Sequence, residues 1–172
     1  RSYDYNHPDY IPQLVLATIL GGGMSSRLFI EVRERRGLAY YVKANASNYQ
    51  DTGLFVIQAG VRQSSLAEAL RLILAELKKI KTAAVAEREL NKAREYIKGT
   101  LTLSLEDSES LLGWYLEQLA FRKTVLEPDS AFALIDKVEA RDVERVARDI
   151  FQGGKMNLAV VGRADEREIK KI

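Results

Sequence analysis

Apolar positions along the chain fall into blocks whose spacing alternates between helical and strand-like. Residues 1–9 are polar and aromatic and predict no strand. Residues 11–20 are apolar nearly all round with Pro12 in the first turn, the pattern of a buried helix. Gly21, Gly22 and Gly23 then permit a sharp reversal, and Ser25 or Ser26 can cap a second helix by accepting a backbone N–H. In that helix Leu28, Phe29 and Val32 make the apolar stripe. Glu31, Glu34 and Arg35 lie opposite, with Glu31 and Arg35 at the favourable i, i+4 spacing. Arg33 sits on the flank beside Phe29, and Arg36 follows in the last turn, where a cation suits the helix dipole. Gly37 is placed to end the helix as its C′ residue.

The period then changes. Residues 40–49 read as a strand with Val42, Ala44 and Ala46 on one face. After a turn at 50–53, residues 53–61 read as a second, with Phe55, Ile57, Ala59 and Val61 together, completing an antiparallel hairpin. Ser65 and Glu68 form a capping-box pattern ahead of a helix carrying Leu66, Ala69, Leu70, Ile73, Leu74, Leu77 and Ile80, which is expected to lie across the hairpin. A helix over 86–105 buries Leu90, Ala93, Ile97 and Leu101. Asp107 or Ser108 restarts the chain into a helix reaching about Phe121, with Leu112, Tyr115, Leu116 and Leu119 inward and Trp114 in the core. Two short helices over 130–138 and 141–151 lead to Gly153 and Gly154. Residues 156–161 read as a last apolar strand, and the tail 163–172 as solvated.

These elements give an α+β fold, a small antiparallel sheet covered by helices on one face, and one domain over 1–172 with no repeat or linker to divide it. Three strands make a thin sheet under so many helices. A fourth is expected from the N-terminal side or from another part of a larger protein.

Composition narrows the chemistry. With 47% apolar and 29% charged residues the chain has an ordinary globular balance. Its net charge of +2 comes from interspersed residues of both signs, which argues against a nucleic-acid surface. No apolar run is long enough to span a bilayer. The absence of cysteine excludes disulfides and thiolate chemistry but leaves the compartment open, with the cytoplasm as the default expectation. The chain opens on Arg1 in place of Met, as in a processed chain or an excised domain.

A hydrolytic zinc site needs at least two nitrogen or sulfur ligands, and this chain offers one histidine, His7, beside Pro8. No metal site is expected. The glycine loop precedes a helix, as phosphate cradles do, but it lacks the Lys-Ser/Thr ending and follows a helix instead of a strand, so it reads as a reversal. Glu106, Asp107 and Glu109 are the acidic residues a helix start ordinarily carries. Arg33 and Tyr40 are separated by a helix end. A guanidinium and a phenol there can converge on one carbonyl or oxyanion, or be merely an amphipathic arginine beside a half-buried tyrosine.

The segment GGGMSSRLFIEVRERRGLAYYV, with HPDY before it and DTGLFVIQAG after it, resembles the C-terminal, non-catalytic type of domain in the M16 zinc peptidases, the pitrilysin and mitochondrial-processing-peptidase-like family. EARDVERVARDIF followed by MNLAVVG extends the likeness, which covers about residues 7–162. The resemblance implies a clamshell. A half bearing HxxEH binds zinc, and a half of the same fold without metal ligands supplies an arginine and a tyrosine to the substrate cleft. The matching positions are Arg33 and Tyr40, which would position a peptide carbonyl and stabilise the oxyanion. It further implies an HxxEH-bearing partner half, on the same polypeptide or a separate subunit, and a peptide substrate. The alternative it allows is a non-catalytic assembly module of a larger complex. Residues 1–6 do not match the family's first strand, and Ala86 and Glu139 stand where helix caps are usual.

Overall fold

A computed structural model describes residues 1–169 and 171–172. Helix α1 (Tyr10–Gly21) is followed by a π-helix, Phe29–Glu34, and by the hairpin of β1 (Ala39–Asn48) and β2 (Gly53–Val61). Then come α2 (Leu66–Ile80), α3 (Glu87–Leu105), α4 (Ser108–Phe121), α5 (Pro128–Asp136), α6 (Ala140–Ile150) and the short α7 (Glu166–Ile169). The architecture is α+β, with a two-stranded antiparallel sheet.

The hairpin keeps the predicted register, with Val42 opposite Ala59, Ala44 opposite Ile57 and Asn48 opposite Gly53. Phe55, Ile57, Ala59 and Val61 all turn toward the core. The helix that lies along β1 is α1; the sequence had pointed to α2. Being apolar all round, α1 can be enclosed by β1 on one side and by α3 and α6 on others, and Val15, Leu16 and Leu20 have no exposed surface. Helix α2 instead stands against the π-helix and α6.

Gly21 shows why α1 can approach so closely. A Cβ there would lie 2.1 Å from the Ala44 amide nitrogen. The reversal itself uses no left-handed backbone: Gly22 has φ −76°, and Gly37 and Gly162 are the glycines of positive φ among the described residues. Gly21, Gly22 and Gly23 therefore serve packing rather than unusual torsions. Neither expected serine cap forms a cap bond. The Ser26 hydroxyl donates back to the Gly23 carbonyl at 2.6 Å. Ser65 closes a 3₁₀ turn with helical torsions (φ −103°, ψ −3°), unlike the extended conformation an N-cap needs, and Glu68 reaches Arg36.

Two apolar stretches depart from expectation. Residues 156–161 form no strand, and Leu158 and Val161 are exposed. A strand requires a paired backbone, and among the described residues the outer side of β2 is met only by an isolated bridge between Ser2 and Gly53. The Leu112, Leu116 and Leu119 face of α4 points outward, with those residues 59%, 54% and 68% exposed. The loop after α4 latches onto its other side, where the Gln118 carboxamide accepts from the Leu126 N–H and donates to the Leu126 carbonyl, and the Trp114 indole donates to the same carbonyl. Trp114 and Tyr115 are half-buried as a result. The helix start does follow the sequence: the Asp107 carboxylate caps α4 by accepting from the Ser110 N–H at 2.9 Å.

Leu90 and Leu116 should respond oppositely to truncation. Leu90→Ala, at a site with no exposed surface, is expected to cost about 2–5 kcal/mol in urea unfolding. Leu116→Ser should stay within about 0.5 kcal/mol of the parent, and a large loss there would mean the leucine face is buried.

Candidate functional site

The segment between α1 and β1 carries two local insertions on either side of one glycine. Upstream, the helix widens into a π turn, in which the Arg35 N–H donates to the Ile30 carbonyl five residues back. Leu28 and Val32 are wholly buried and hold its inner face, while Arg27 fixes its start through paired bonds of 2.7 Å from Nε and a terminal nitrogen to Glu89 of α3. Those bonds hold the Arg27 guanidinium still more firmly in its charged form.

Gly37 closes the helix. Its N–H donates to the Arg33 carbonyl at 3.0 Å, the Leu38 N–H donates to the Val32 carbonyl at 3.0 Å, and its φ of +60° is the left-handed cap conformation that the sequence assigned to it. Arg36 pairs across to Glu68 of α2 at 3.4 Å, tying the turn to a second helix.

Downstream, β1 begins with a bulge. Ala39 stands opposite Val61 and Tyr41 opposite Gly60, so Tyr40 is the extra residue. Ala39 and Val42 both face the core, three positions apart where strict alternation allows two or four, and the two tyrosines between them are both pushed outward. Tyr40 is 85% exposed, a large fraction for an aromatic ring on a strand. Tyr41 lies over Gly60, where a Cβ would come within 2.5 Å of its ring, so Gly60 makes room for the neighbour of Tyr40.

Arg33 is exposed on the helix flank, its guanidinium carbon 4.8 Å above the centre of the Phe29 ring. Arg27, Arg35 and Arg36 each have a carboxylate partner, in Glu89, Glu31 and Glu68. Among the described residues Arg33 has none: the positions one helical turn away hold Phe29, Ile30, Arg36 and Gly37, and no carboxylate of another element pairs with it. No hydrogen bond joins Arg33 to Tyr40 among the described residues. Both polar ends are open to solvent and free to meet a third group.

The bulge and the π turn were not read from the sequence. A signal for the bulge was there in the doublet Tyr40-Tyr41, which breaks the alternation between Ala39 and Val42. The π turn has no comparable signal. The other candidates are structural: the His7 ring stacks on Tyr3 at 3.9 Å and its Nδ1 accepts from the Asp9 N–H, and Asp107 is the cap of α4.

Residues 1–97 match the family model described as the peptidase M16 inactive domain. The chain belongs to the M16 peptidase family. It is 36% identical over 158 residues to a zinc protease of Streptomyces coelicolor, covering 92% of this chain and 34% of that one. It is 34% identical over 157 residues to a zinc protease of Bacillus subtilis, covering 88% and 37%. The chain thus spans about a third of the length of these curated M16 relatives. The fold matches the crystal structure of a peptidase M16 inactive domain from Pseudomonas fluorescens, with a TM-score of 0.75 at 24% identity over 86% of this chain and 35% of that one.

The zinc in these relatives' names finds no fitting donor set here. Among the described residues no group of three or more His, Cys, Asp or Glu side chains is placed to hold a metal ion, and the single histidine is stacked and hydrogen-bonded. No helix among the described residues is long and apolar enough to cross a membrane.

The turn between the two insertions should be sensitive to its glycine alone. At Gly37 a Cβ meets nothing within 4 Å, so Gly37→Ala carries a purely torsional cost, expected at about 1–2 kcal/mol by thermal unfolding. A neutral Gly37→Ala would mean the cap is not left-handed in solution.

Proposed function

We propose that this chain is the substrate-positioning, non-zinc-binding half of an M16 zinc metalloendopeptidase, a single C-terminal-type domain over residues 1–172. It acts only with an HxxEH-bearing half, on the same polypeptide or as a separate subunit. The observation that carries this reading is the pair flanking Gly37: Arg33, the guanidinium of the turn without a carboxylate among the described residues, and Tyr40, lifted from the sheet by the bulge.

The HxxEH-bearing half would hold the zinc, which would supply the activated water. This chain's part is to hold the peptide. The Arg33 guanidinium and the Tyr40 hydroxyl are hydrogen-bond donors, and donors set in advance around a peptide carbonyl stabilise charge as it develops on the oxygen. Arg33 suits this work because, among the described residues, no salt bridge must be broken first. Tyr40 suits it because its hydroxyl stands clear of the sheet.

The outward leucines of α4 favour a second reading, an assembly module whose business is to bind a partner surface. Cleavage of fluorogenic peptides by the chain together with an HxxEH-bearing half separates the two. Arg33→Ala and Tyr40→Phe are each expected to lower kcat on the order of 10²-fold while the complex still forms. Undiminished activity in both variants would leave only the assembly role.

A further inference from the structure

We infer that Phe29 is a positioning residue for Arg33, an aromatic platform that fixes the guanidinium on the open side of the π-helix; this rests on the substrate-positioning reading above. The ring belongs to two environments. It is half-buried and packs against the hydrophobic core, so the core fixes where it stands. Its face lies under Arg33, with the guanidinium carbon 4.8 Å from the ring centre, within the range of a cation–π contact.

The other arginines of this segment are oriented by carboxylates: Arg27 by Glu89, Arg35 by Glu31 and Arg36 by Glu68. A carboxylate holds a guanidinium by occupying its N–H donors. An arginine held that way cannot offer those donors to a substrate without breaking the pair. A ring face attracts the planar cation electrostatically and leaves the in-plane N–H groups unoccupied. Phe29 therefore does what Glu31 does for Arg35, at the same four-residue spacing, without consuming a donor. An unanchored arginine on an exposed flank would lose rotamer freedom as it closed on the oxygen while charge developed there. The platform reduces that cost by preorganising the side chain.

The contact also makes a distinction between aromatic and aliphatic residues at position 29. Leucine would fill much of the same space and keep the helix on the core. It has no quadrupole, and Arg33 would be free to swing toward Glu34 or into solvent. Tyrosine would retain the platform.

The test uses the chain assembled with its HxxEH-bearing half and a quenched fluorogenic peptide mixture, with thermal unfolding recorded for every variant. Phe29→Leu is expected to fold and to lower kcat about two- to fivefold with KM unchanged, the size of an exposed cation–π contact. Phe29→Tyr should restore kcat to near the parent value. In the Arg33→Ala background Phe29→Leu should have no further effect. In the isolated chain, the upfield ring-current shift of the Arg33 side-chain protons should vanish in Phe29→Leu and persist in Phe29→Tyr. If Phe29→Leu keeps full activity while Arg33→Ala is impaired, the platform is refuted and the positioning function stands. If Phe29→Leu lowers kcat equally in the Arg33→Ala background, Phe29 acts through the fold and the platform is again refuted. If Arg33→Ala is itself fully active, the positioning function falls and this inference with it.

Discussion

The left-handed cap at Gly37 sets the geometry of the candidate site. Two hydrogen bonds, from the Gly37 N–H to the Arg33 carbonyl and from the Leu38 N–H to the Val32 carbonyl, end the π-helix and send the chain directly into β1. Any side chain at a φ of +60° carries strain, which makes this the one position in the segment where glycine is needed for its torsion. Arg33 precedes the cap by four residues and Tyr40 follows it by three, so the cap fixes the relation between the helix flank and the strand edge on which they stand.

Such a turn needs a firm base, and the core supplies it from both directions. Leu28 and Val32 bury the inner face of the π-helix, Ala39 and Val42 the inner face of β1, and α1 closes over them because Gly21 allows its end to touch the Ala44 backbone. Fully burying a side chain the size of leucine or valine is worth about 1.5–3 kcal/mol, enough for a few such residues to outweigh the strain of an extra residue in the helix and another in the strand. The irregularities are tolerated because the residues beside them are so well packed. Arg36 and Arg27 add polar ties to α2 and α3, so three helices and a strand converge on a short loop. Among the described residues the Arg33 and Tyr40 side chains take no part in these ties.

Most of the fold could be read from periodicity, because α1, β1, β2, α2 and α3 each bury the face their sequence pattern marks. The family could be read from the ordered glycine, serine–arginine and Arg-Gly-Leu-Ala-Tyr elements. The failures share a cause: pattern reports which residues are apolar and not what covers them. Residues 156–161 have the composition of a strand and, among the described residues, lack an adjacent backbone to pair with; α4 is apolar on several sides, and a Gln118–Leu126 latch decided which was covered. Capping residues misled in a related way, since Ser26 and Glu68 found other partners in the folded chain. At the site, the residue types of Arg33 and Tyr40 and the helix end at Gly37 were legible. The i±3 and i±4 neighbours of Arg33 showed that it has no carboxylate one turn away in its own helix, but not that none of the described residues reaches it from elsewhere, as Glu89 and Glu68 reach Arg27 and Arg36. The outward thrust of Tyr40 depended on a bulge that only the strand pairing reveals.

The central claim is that Arg33 and Tyr40 act on one group, although no bond joins them among the described residues. Coupling between their substitutions measures this most directly. Rates for the parent, Arg33→Ala, Tyr40→Phe and the double variant should be compared in the chain assembled with its HxxEH-bearing half. Two donors to one oxygen predict that the double variant loses less than the product of the single losses, with an interaction energy of about 0.5–3 kcal/mol. Strictly multiplicative losses would contradict the account, placing the guanidinium and the phenol on separate parts of the substrate.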